Sequence, residues 1–262
     1  MTLTLNIQEI KSRHRHELRK VKPLMPALCR INQGRKIIEW EDSTEVAEKN
    51  SLIVFPAWQE LYIENIPVNE SYFAEILYIP LHVLEAFEHS YPNITKPPRP
   101  KLCIAVSNET NFCWDQLKYA ISKNYSAQLV EHMLLSLLLT IKDTDATTLL
   151  LGAPKLPLID RCYSIISLSP AKHWTAQDIA AKLSMSKSTL YRGLSSEGIG
   201  FQQLLDDIRL SNALHDLQTT TIAVSEVAQR SGYACPSRFT ERFKKRFGIT
   251  PRDLRKSIKG HH

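Results

Sequence analysis

Two short segments of the carboxy-terminal half carry polar side chains at positions that a helix would turn outward. In residues 174–194 these are Lys187, Ser188, Tyr191 and Arg192. In residues 222–243 and just beyond they are Ser237, Arg238, Thr240, Glu241, Lys244 and Lys245. Hydroxyl, ammonium and guanidinium groups of this kind form hydrogen bonds and bind anions. The chain has no phosphate-binding loop, dinucleotide fingerprint, nucleophile elbow or zinc-binding helix motif, so we predict recognition and no enzymatic activity.

The two segments are diverged copies of one unit. Asp178-Ile179-Ala180 recurs as Glu226-Val227-Ala228, 48 residues later, whereas Leu190 and Leu194 recur as Phe239 and Phe243, 49 residues later. The second copy therefore has one extra residue in its turn. Each copy predicts a short helix, a tight turn and a second helix, which is a helix-turn-helix.

Local residue chemistry favours these elements. Thr175 and Asp178 have the spacing of a capping box, and Ser186 precedes the second helix of copy one. Gly232 lies where copy two must reverse direction, and Pro236 suits a first helical turn. Between the copies, apolar residues at helical spacing predict one helix over residues 201–217, about 25 Å long. Such a strut would place the two second helices about 34 Å apart, one DNA turn, on successive major grooves of an asymmetric site.

Charge separates the two halves of this 262-residue chain. Residues 155–262 carry a formal charge of +8 and residues 1–154 carry −2, within a total of +6. A basic module beside a slightly acidic one predicts that the carboxy-terminal half faces a polyanion. No apolar run is long enough to span a membrane, no secretory signal pattern opens the sequence, and the five cysteines are scattered. We therefore expect a cytoplasmic protein with free thiols and no membrane association.

The carboxy-terminal half resembles the AraC/XylS family of bacterial transcription regulators over about residues 155–256. The most specific part of the resemblance is SEVAQRSGYACPSRFTERFKKRFGITPRDLR, which contains Gly-aromatic, Ser-x-Phe, Phe-Lys-Lys, Phe-Gly and Thr-Pro before an arginine. Two departures are Val227 in place of the usual isoleucine and Pro236 at the start of the second helix. The proline removes an amide that would otherwise be available to a phosphate.

The resemblance implies sequence-specific binding to double-stranded DNA. The family's base-contacting positions fall on Ser188, Tyr191, Arg192, Ser237, Thr240 and Glu241. Arg192 suits guanine O6 and N7, and Glu241 suits cytosine N4, although Glu241 has an alternative pairing with Lys244 or Lys245. The expected phosphate-contacting set is Lys187, Arg238, Arg242, Lys244, Lys245, Arg246, Arg252 and Arg255.

The amino-terminal half predicts strands followed by helices. Residues 37–40, 52–55, 61–66 and 72–79 are strand-like, residues 81–91 are helical, and residues 94–100 form a hinge or exposed loop. We expect a small β-barrel or sandwich, similar to the cupin-like effector domain of many AraC relatives. The basic cluster over residues 11–20 is interpreted as a flexible arm. His14 and His16 have a metal-cupin spacing without a matching glutamate and third histidine, so we predict no metal site.

Residues 126–143 form a strongly apolar helix that needs cover on more than one side. Resemblance suggests homodimerisation, and packing against the domain's own barrel is the alternative. The dimerisation candidates are Leu129, Met133, Leu134, Leu137, Leu138 and Ile141.

Together these patterns predict an α+β protein. It comprises a β-rich cupin-like effector region (1–110), a helical dimerisation segment and linker (111–154) and an all-α tandem helix-turn-helix domain (155–262). We expect a transcription activator that contacts RNA polymerase and needs no cofactor, with a small-molecule effector possible. The alternatives are an effector-gated repressor and a helical protein that binds a protein partner instead of DNA.

Overall fold

The computed structural model describes residues 5–91, 101–152 and 155–259. The chain divides into two compact units, the first comprising residues 1–153 and 256–262 and the second residues 154–255. The loop predicted over residues 94–100 lies outside the described residues.

The first unit contains nine strands within the described residues. They are β1 (Ile7–Ser12), β2 (His16–Val21), β3 (Ala27–Gln33), β4 (Arg35–Trp40), β5 (Ser43–Ala47), β6 (Ser51–Phe55), β7 (Leu61–Ile66), β8 (Tyr72–Tyr78) and β9 (Cys103–Ala105). One sheet has the order β1-β8-β3-β6-β9 and the other β2-β7-β4-β5, with antiparallel pairing throughout. The sheets form a sandwich, and no closed barrel is present in the described part of the chain.

The four strands predicted from apolar runs are present as β4, β6, β7 and β8. The flexible arm expected over residues 11–20 is wrong, because this segment ends β1 and forms most of β2. In β2, His16 and Leu18 are buried while Glu17 is exposed. This alternation is typical of a strand with one face in a core. The many basic residues of the segment make the alternation difficult to recognise in the sequence.

Four helices cover the five-stranded sheet: α1 (Leu81–Ser90), α2 (Asn108–Ser122), α3 (Ala127–Leu139) and α4 (Asp145–Leu151). Their apolar faces join side chains of the sheet in one core, which includes Leu28, Leu77, Phe87 and Trp114. One face of this sheet packs against helices and the other against the second sheet. Because both faces are buried, its strands have long apolar runs in the sequence.

The dimerisation prediction needs correction at four positions. Leu134, Leu137 and Leu138 are fully buried and Ile141 is 2% exposed, all within the core of the first unit. They pack against their own domain, as the alternative interpretation held. Leu129, which is 43% exposed, and the partly buried Met133 are the remaining members of the set.

The second unit is helical. Its helices are α5 (Pro157–Ile166), α6 (Ala176–Lys182), α7 (Lys187–Ser196), α8 (Phe201–Thr219), α9 (Val224–Arg230), α10 (Pro236–Phe247) and α11 (Pro251–Lys259), the last of which begins in this unit. The helix predicted over residues 201–217 is present as α8, whose 19 residues span about 28 Å.

Candidate nucleic-acid interface

The first helix-turn-helix copy consists of α6 and α7. The Thr175 hydroxyl accepts a hydrogen bond from the Asp178 amide at 3.1 Å, and the Asp178 carboxylate accepts from the Thr175 amide at 2.9 Å. The predicted capping box is therefore confirmed. The Ser186 hydroxyl accepts from the Thr189 amide at 3.1 Å and caps α7 as predicted.

The second copy consists of α9 and α10. Pro236 is the first residue of α10, and Phe239, Phe243 and Phe247 form its buried stripe, with neighbouring ring centroids 5.6 and 4.6 Å apart. α10 ends at Gly248, whose φ of 79° places it in the left-handed region.

The turns of the two copies have matching backbone geometry. The Met185 amide donates to the Ala180 carbonyl at 3.0 Å, and the Tyr233 amide donates to the Ala228 carbonyl at 2.9 Å. These are equivalent bonds of a Schellman-type helix end, which needs a left-handed residue just before the donor. That residue is Ser184 in copy one (φ 56°) and Gly232 in copy two (φ 81°). Four residues separate α6 from α7 and five separate α9 from α10, so the predicted repeat and its extra residue are confirmed.

α7 presents a polar face with two cations and no carboxylate. Leu190 and Leu194 are fully buried, while Ser188, Tyr191 and Arg192 are exposed on the other sides. Lys187 is exposed too, and its ammonium lies 5.8 Å from the centre of the Tyr191 ring. This face offers a hydroxyl, an aromatic ring and a guanidinium to a groove.

α7 is fastened to α5 at two points. The Glu197 carboxylate accepts hydrogen bonds from the Leu158 and Ile159 amides at 2.9 and 2.8 Å, capping the start of α5. At Gly193 an added Cβ would overlap a Leu158 methyl carbon. α7 can approach α5 this closely because residue 193 has no side chain.

α10 presents a polar face with three exposed cations and one exposed carboxylate. Ser237, Arg238, Glu241, Lys244 and Lys245 are exposed and Thr240 is partly buried. In the described part of the chain no ion pair joins Glu241 to Lys244 or Lys245, so the alternative pairing of Glu241 is not formed. The Ser237 hydroxyl lies 3.0 Å from the Cys235 thiol, and this hydrogen bond lowers the pKa of Cys235.

Two cations of α10 bind carboxylates of the strut helix α8. Arg242 donates a short hydrogen bond to Asp206, and an Arg246 nitrogen lies 3.4 Å from an Asp207 oxygen. The side chain of Arg246 is 16% exposed and that of Asp207 is 5% exposed. Both arginines belong to the set that was expected to contact phosphates. The helical periodicity of the sequence predicts that their side chains leave the core, but it does not predict that they pair with carboxylates of α8.

Arg255 was expected to contact a phosphate, and this prediction is wrong. Only 8% of the residue is exposed. Its guanidinium donates to the Thr220 carbonyl, to the Ile222 carbonyl at 3.0 Å and to the Asp216 carbonyl at 3.3 Å. Arg255 therefore binds the carbonyl end of α8, where the helix dipole and unpaired carbonyls attract a cation. Arg252, three residues earlier, is exposed.

A protein-family model described as "Helix-turn-helix domain" matches residues 179–257. Those residues contain most of copy one, the strut and the whole of copy two. This match supports the resemblance of the carboxy-terminal half to the AraC/XylS family. The urease operon transcriptional activator of Escherichia coli is 35% identical over 91 residues, which are 35% of this chain and 31% of that relative.

VirF, the virulence regulon transcriptional activator of Shigella flexneri, is 27% identical over 168 residues, or 64% of this chain and 63% of VirF. The chain thus spans less than two thirds of the length of either relative. ToxT of Vibrio cholerae, solved with an unsaturated fatty acid bound, has the same overall fold, with a TM-score of 0.68, 15% identity and coverage of 99% of this chain and 98% of ToxT.

The described residues contain neither a metal-binding cluster nor a membrane-spanning helix. No cluster of three or more histidine, cysteine, aspartate or glutamate side chains that could hold a metal ion occurs in residues 5–91, 101–152 or 155–259. Over the same ranges, no helix combines the length and apolar character that crossing a bilayer requires.

Proposed function

We propose that this protein is a sequence-specific DNA-binding transcription regulator of the AraC/XylS type that reads two successive major grooves with α7 and α10. The observation that carries the proposal is the pair of helix-turn-helix copies with matching turns, each exposing the polar face of its second helix. The second helix of such a motif enters the major groove. Because the two faces carry different side chains, we expect an asymmetric target.

Base recognition is assigned to the exposed polar positions of both helices. Arg192 forms the guanine contact on α7, and Glu241 accepts from cytosine N4 on α10. Hydroxyl groups discriminate less sharply between bases, and the Tyr191 ring packs on a thymine methyl. The full base-contact set is Ser188, Tyr191, Arg192, Ser237, Thr240 and Glu241.

Phosphate contacts are assigned to the exposed cations near these faces, which supply affinity and salt dependence rather than sequence choice. This set is Lys187, Arg238, Lys244, Lys245 and Arg252, and it is smaller than the set expected from the sequence.

We propose that the protein activates transcription through RNA polymerase in the cytoplasm and catalyses no reaction. The relatives described above are named as transcriptional activators. In this scheme residues 1–110 form the effector region, residues 111–154 the helical dimerisation segment and linker, and residues 155–262 the DNA-binding domain.

The test is duplex selection followed by salt titration. A preferred duplex is selected from a random pool, and its affinity is measured by fluorescence anisotropy between 50 and 200 mM salt. About five phosphate contacts predict a steep loss of affinity with added salt. Failure to enrich any sequence, or affinity that does not depend on salt, would favour the protein-partner alternative.

The first unit is proposed to bind an acidic small molecule near Lys36. This side chain is 2% exposed in the sandwich, where its ammonium donates to the Asn65 side-chain oxygen at 2.7 Å and lies 5.5 Å from the Tyr72 ring centre. The Tyr72 hydroxyl is buried without a hydrogen-bond partner in the described residues. Burial lowers the pKa of Lys36. A carboxylate would compensate the buried ammonium and accept from the hydroxyl.

A monounsaturated fatty acid is a suitable probe because ToxT has been solved with an unsaturated fatty acid bound. We expect calorimetric titration to detect binding to the wild type and to Arg35→Met, an exposed neighbour on β4, and to detect much weaker binding to Lys36→Met. Equal binding by all three proteins would refute the role of Lys36.

A homodimer is proposed to form through exposed apolar residues of α2 and α3 and the turn between them. Besides Leu129, these are Phe112 (65% exposed), Tyr119 (52%) and Tyr125 (45%). The Tyr119 and Tyr125 rings contact each other with centroids 6.2 Å apart. Sedimentation of Leu129→Glu should show a monomer, and an unchanged dimer would exclude this surface.

A further inference from the structure

Asp206 and Asp207 follow one another on α8 and meet two cations of α10. Arg242 and Arg246 are four residues apart, so they lie one turn apart on the same flank of the helix. This flank lies between the buried phenylalanine stripe and the exposed polar face. Arg242 is 39% exposed and Arg246 16% exposed, whereas Lys244 and Lys245 are exposed.

Moving these arginines to DNA would carry an electrostatic cost. The Asp207 side chain is 5% exposed and that of Asp206 is 21% exposed. Separating either carboxylate from its arginine in such surroundings removes part of its electrostatic compensation, which is unfavourable. Both pairs also join the reading helix to the strut that connects the two copies.

We propose that Asp206 and Asp207 are positioning residues for DNA reading: they hold Arg242 and Arg246 against the strut and thereby fix the orientation of α10 in its groove. The inference rests on the proposed function. It reassigns both arginines from phosphate contact to the alignment of the base-contacting face of α10.

The two roles have different signatures in DNA binding. Loss of a phosphate contact weakens preferred and random duplexes alike and reduces the salt slope by about 0.9. Loss of alignment weakens the preferred duplex alone, because random duplexes are bound through phosphates whichever way the base-contacting face points.

The experiment measures the affinity of full-length variants for preferred and random duplexes over a salt series. For Arg242→Gln and Asp206→Asn we expect about a tenfold loss on the preferred duplex, a change within about twofold on random DNA and an unchanged salt slope. The double variant should lose no more than either single variant, because the two changes break one interaction. Lys245→Gln is the matched control and should weaken both duplexes and reduce the slope.

The charge exchange Asp206→Arg with Arg242→Asp guards against simple loss of folding, and each variant's thermal melting is recorded beside its affinity. An alignment role predicts that the exchange restores much of the preference lost by the single variants. A phosphate contact at Arg242 predicts the reverse, since the exchange would place a carboxylate beside the DNA backbone.

The inference is overturned if Arg242→Gln behaves like Lys245→Gln, or if Asp206→Asn leaves the preference between duplexes unchanged. The proposed function fails separately if the wild type shows no preference for any duplex. In that case no DNA-reading alignment exists, and the inference falls with it.

Discussion

The two helix-turn-helix copies share a backbone design and differ in how each second helix is held. α7 is anchored by leucines, by the Glu197 cap on α5 and by a close approach at Gly193. α10 is anchored by three buried phenylalanines, whose rings contact one another at tilted angles, and by ion pairs to α8. α7 carries two cations, whereas α10 carries five cations and one carboxylate. Two of the five cations of α10 are paired with carboxylates of α8, so its remaining charged groups are three cations and one carboxylate. One scaffold therefore supports two reading surfaces with the same formal charge of +2 but different charged groups.

The largest effect is expected in the helix cores. Phe243→Ala should destabilise the second unit by about 3–5 kcal/mol, because it leaves a cavity between two packed rings. Leu190→Ala, the smaller deletion in α7, should cost about 3 kcal/mol. Urea unfolding measures both free energies, with Leu168→Ala, whose side chain is 65% exposed in the same unit, as control. A larger loss for Leu190→Ala would show that α7 is the more tightly packed helix.

The next largest difference in stability is expected at the turns within the two helix-turn-helix copies. Gly232→Ala should cost about 3 kcal/mol, because its φ is 81° and the added Cβ would lie 2.8 Å from the Pro170 carbonyl. Ser184→Gly at the equivalent position should stabilise the protein slightly by relieving left-handed strain. Thermal unfolding of both variants tests this equivalence, and destabilisation by Ser184→Gly would contradict it.

DNA binding should separate base contacts from phosphate contacts. Arg192→Ala is expected to cost about 1–3 kcal/mol on the preferred duplex and to relax the preference at one base pair. Lys245→Ala should weaken all duplexes alike. Affinities for a panel of single-base variants of the preferred duplex provide the measurement. Equal losses on preferred and random DNA for Arg192→Ala would remove Arg192 from the base-contact set.

The smallest stability effect is expected at the helix caps. Ser186 caps α7 through its hydroxyl, while Cys235, at the equivalent position before α10, makes no side-chain cap hydrogen bond. Cys235→Ser should supply that bond and stabilise the second unit by about 0.5–1 kcal/mol. Ser186→Cys should have the opposite effect, and both changes can be followed by urea unfolding. A neutral result for both would mean that neither cap contributes.

Thiol chemistry offers a further contrast at Cys235. Its pKa is lowered, first by the hydrogen bond with Ser237, whereas burial raises the pKa of Cys29 to about 11 and that of Cys162 to about 12. A lowered pKa leaves more thiolate at a given pH, so alkylation of Cys235 should persist to lower pH than that of an ordinary thiol. Mass spectrometry of alkylated peptides at pH 6–9 gives the profile. Ser237→Ala should shift that profile to higher pH.

Much of the second unit was predictable because its signals are local. Capping residues, the turn glycine and the phenylalanine spacing each act within a few residues of the backbone they stabilise. Arg242 and Arg255 were assigned to phosphate because periodicity shows that a side chain leaves the core but does not show what it meets. Their partners, Asp206 and the end of α8, lie more than thirty residues away in sequence.

The first unit was less predictable for the same physical reason. The apolar run of α3 indicated a need for cover, but the sequence does not state whether a sheet or a second molecule provides it. Within β1 and β2, inward-facing side chains alternate with charged ones, so each strand contributes only two or three side chains to the core. The choice between barrel and sandwich depends on strand pairing, which single-strand patterns do not encode.

The buried guanidinium of Arg255 indicates how short a stable fragment of the second unit can be. A chain cut immediately after Gly248 would retain every residue of both reading helices, yet the carbonyls of Asp216, Thr220 and Ile222 would lose their donor. These carbonyls lie where the strut gives way to the second copy. Truncation before residue 255 would therefore destabilise the packing of α9 and α10 without removing any of their residues. A minimal fragment must extend beyond residue 255.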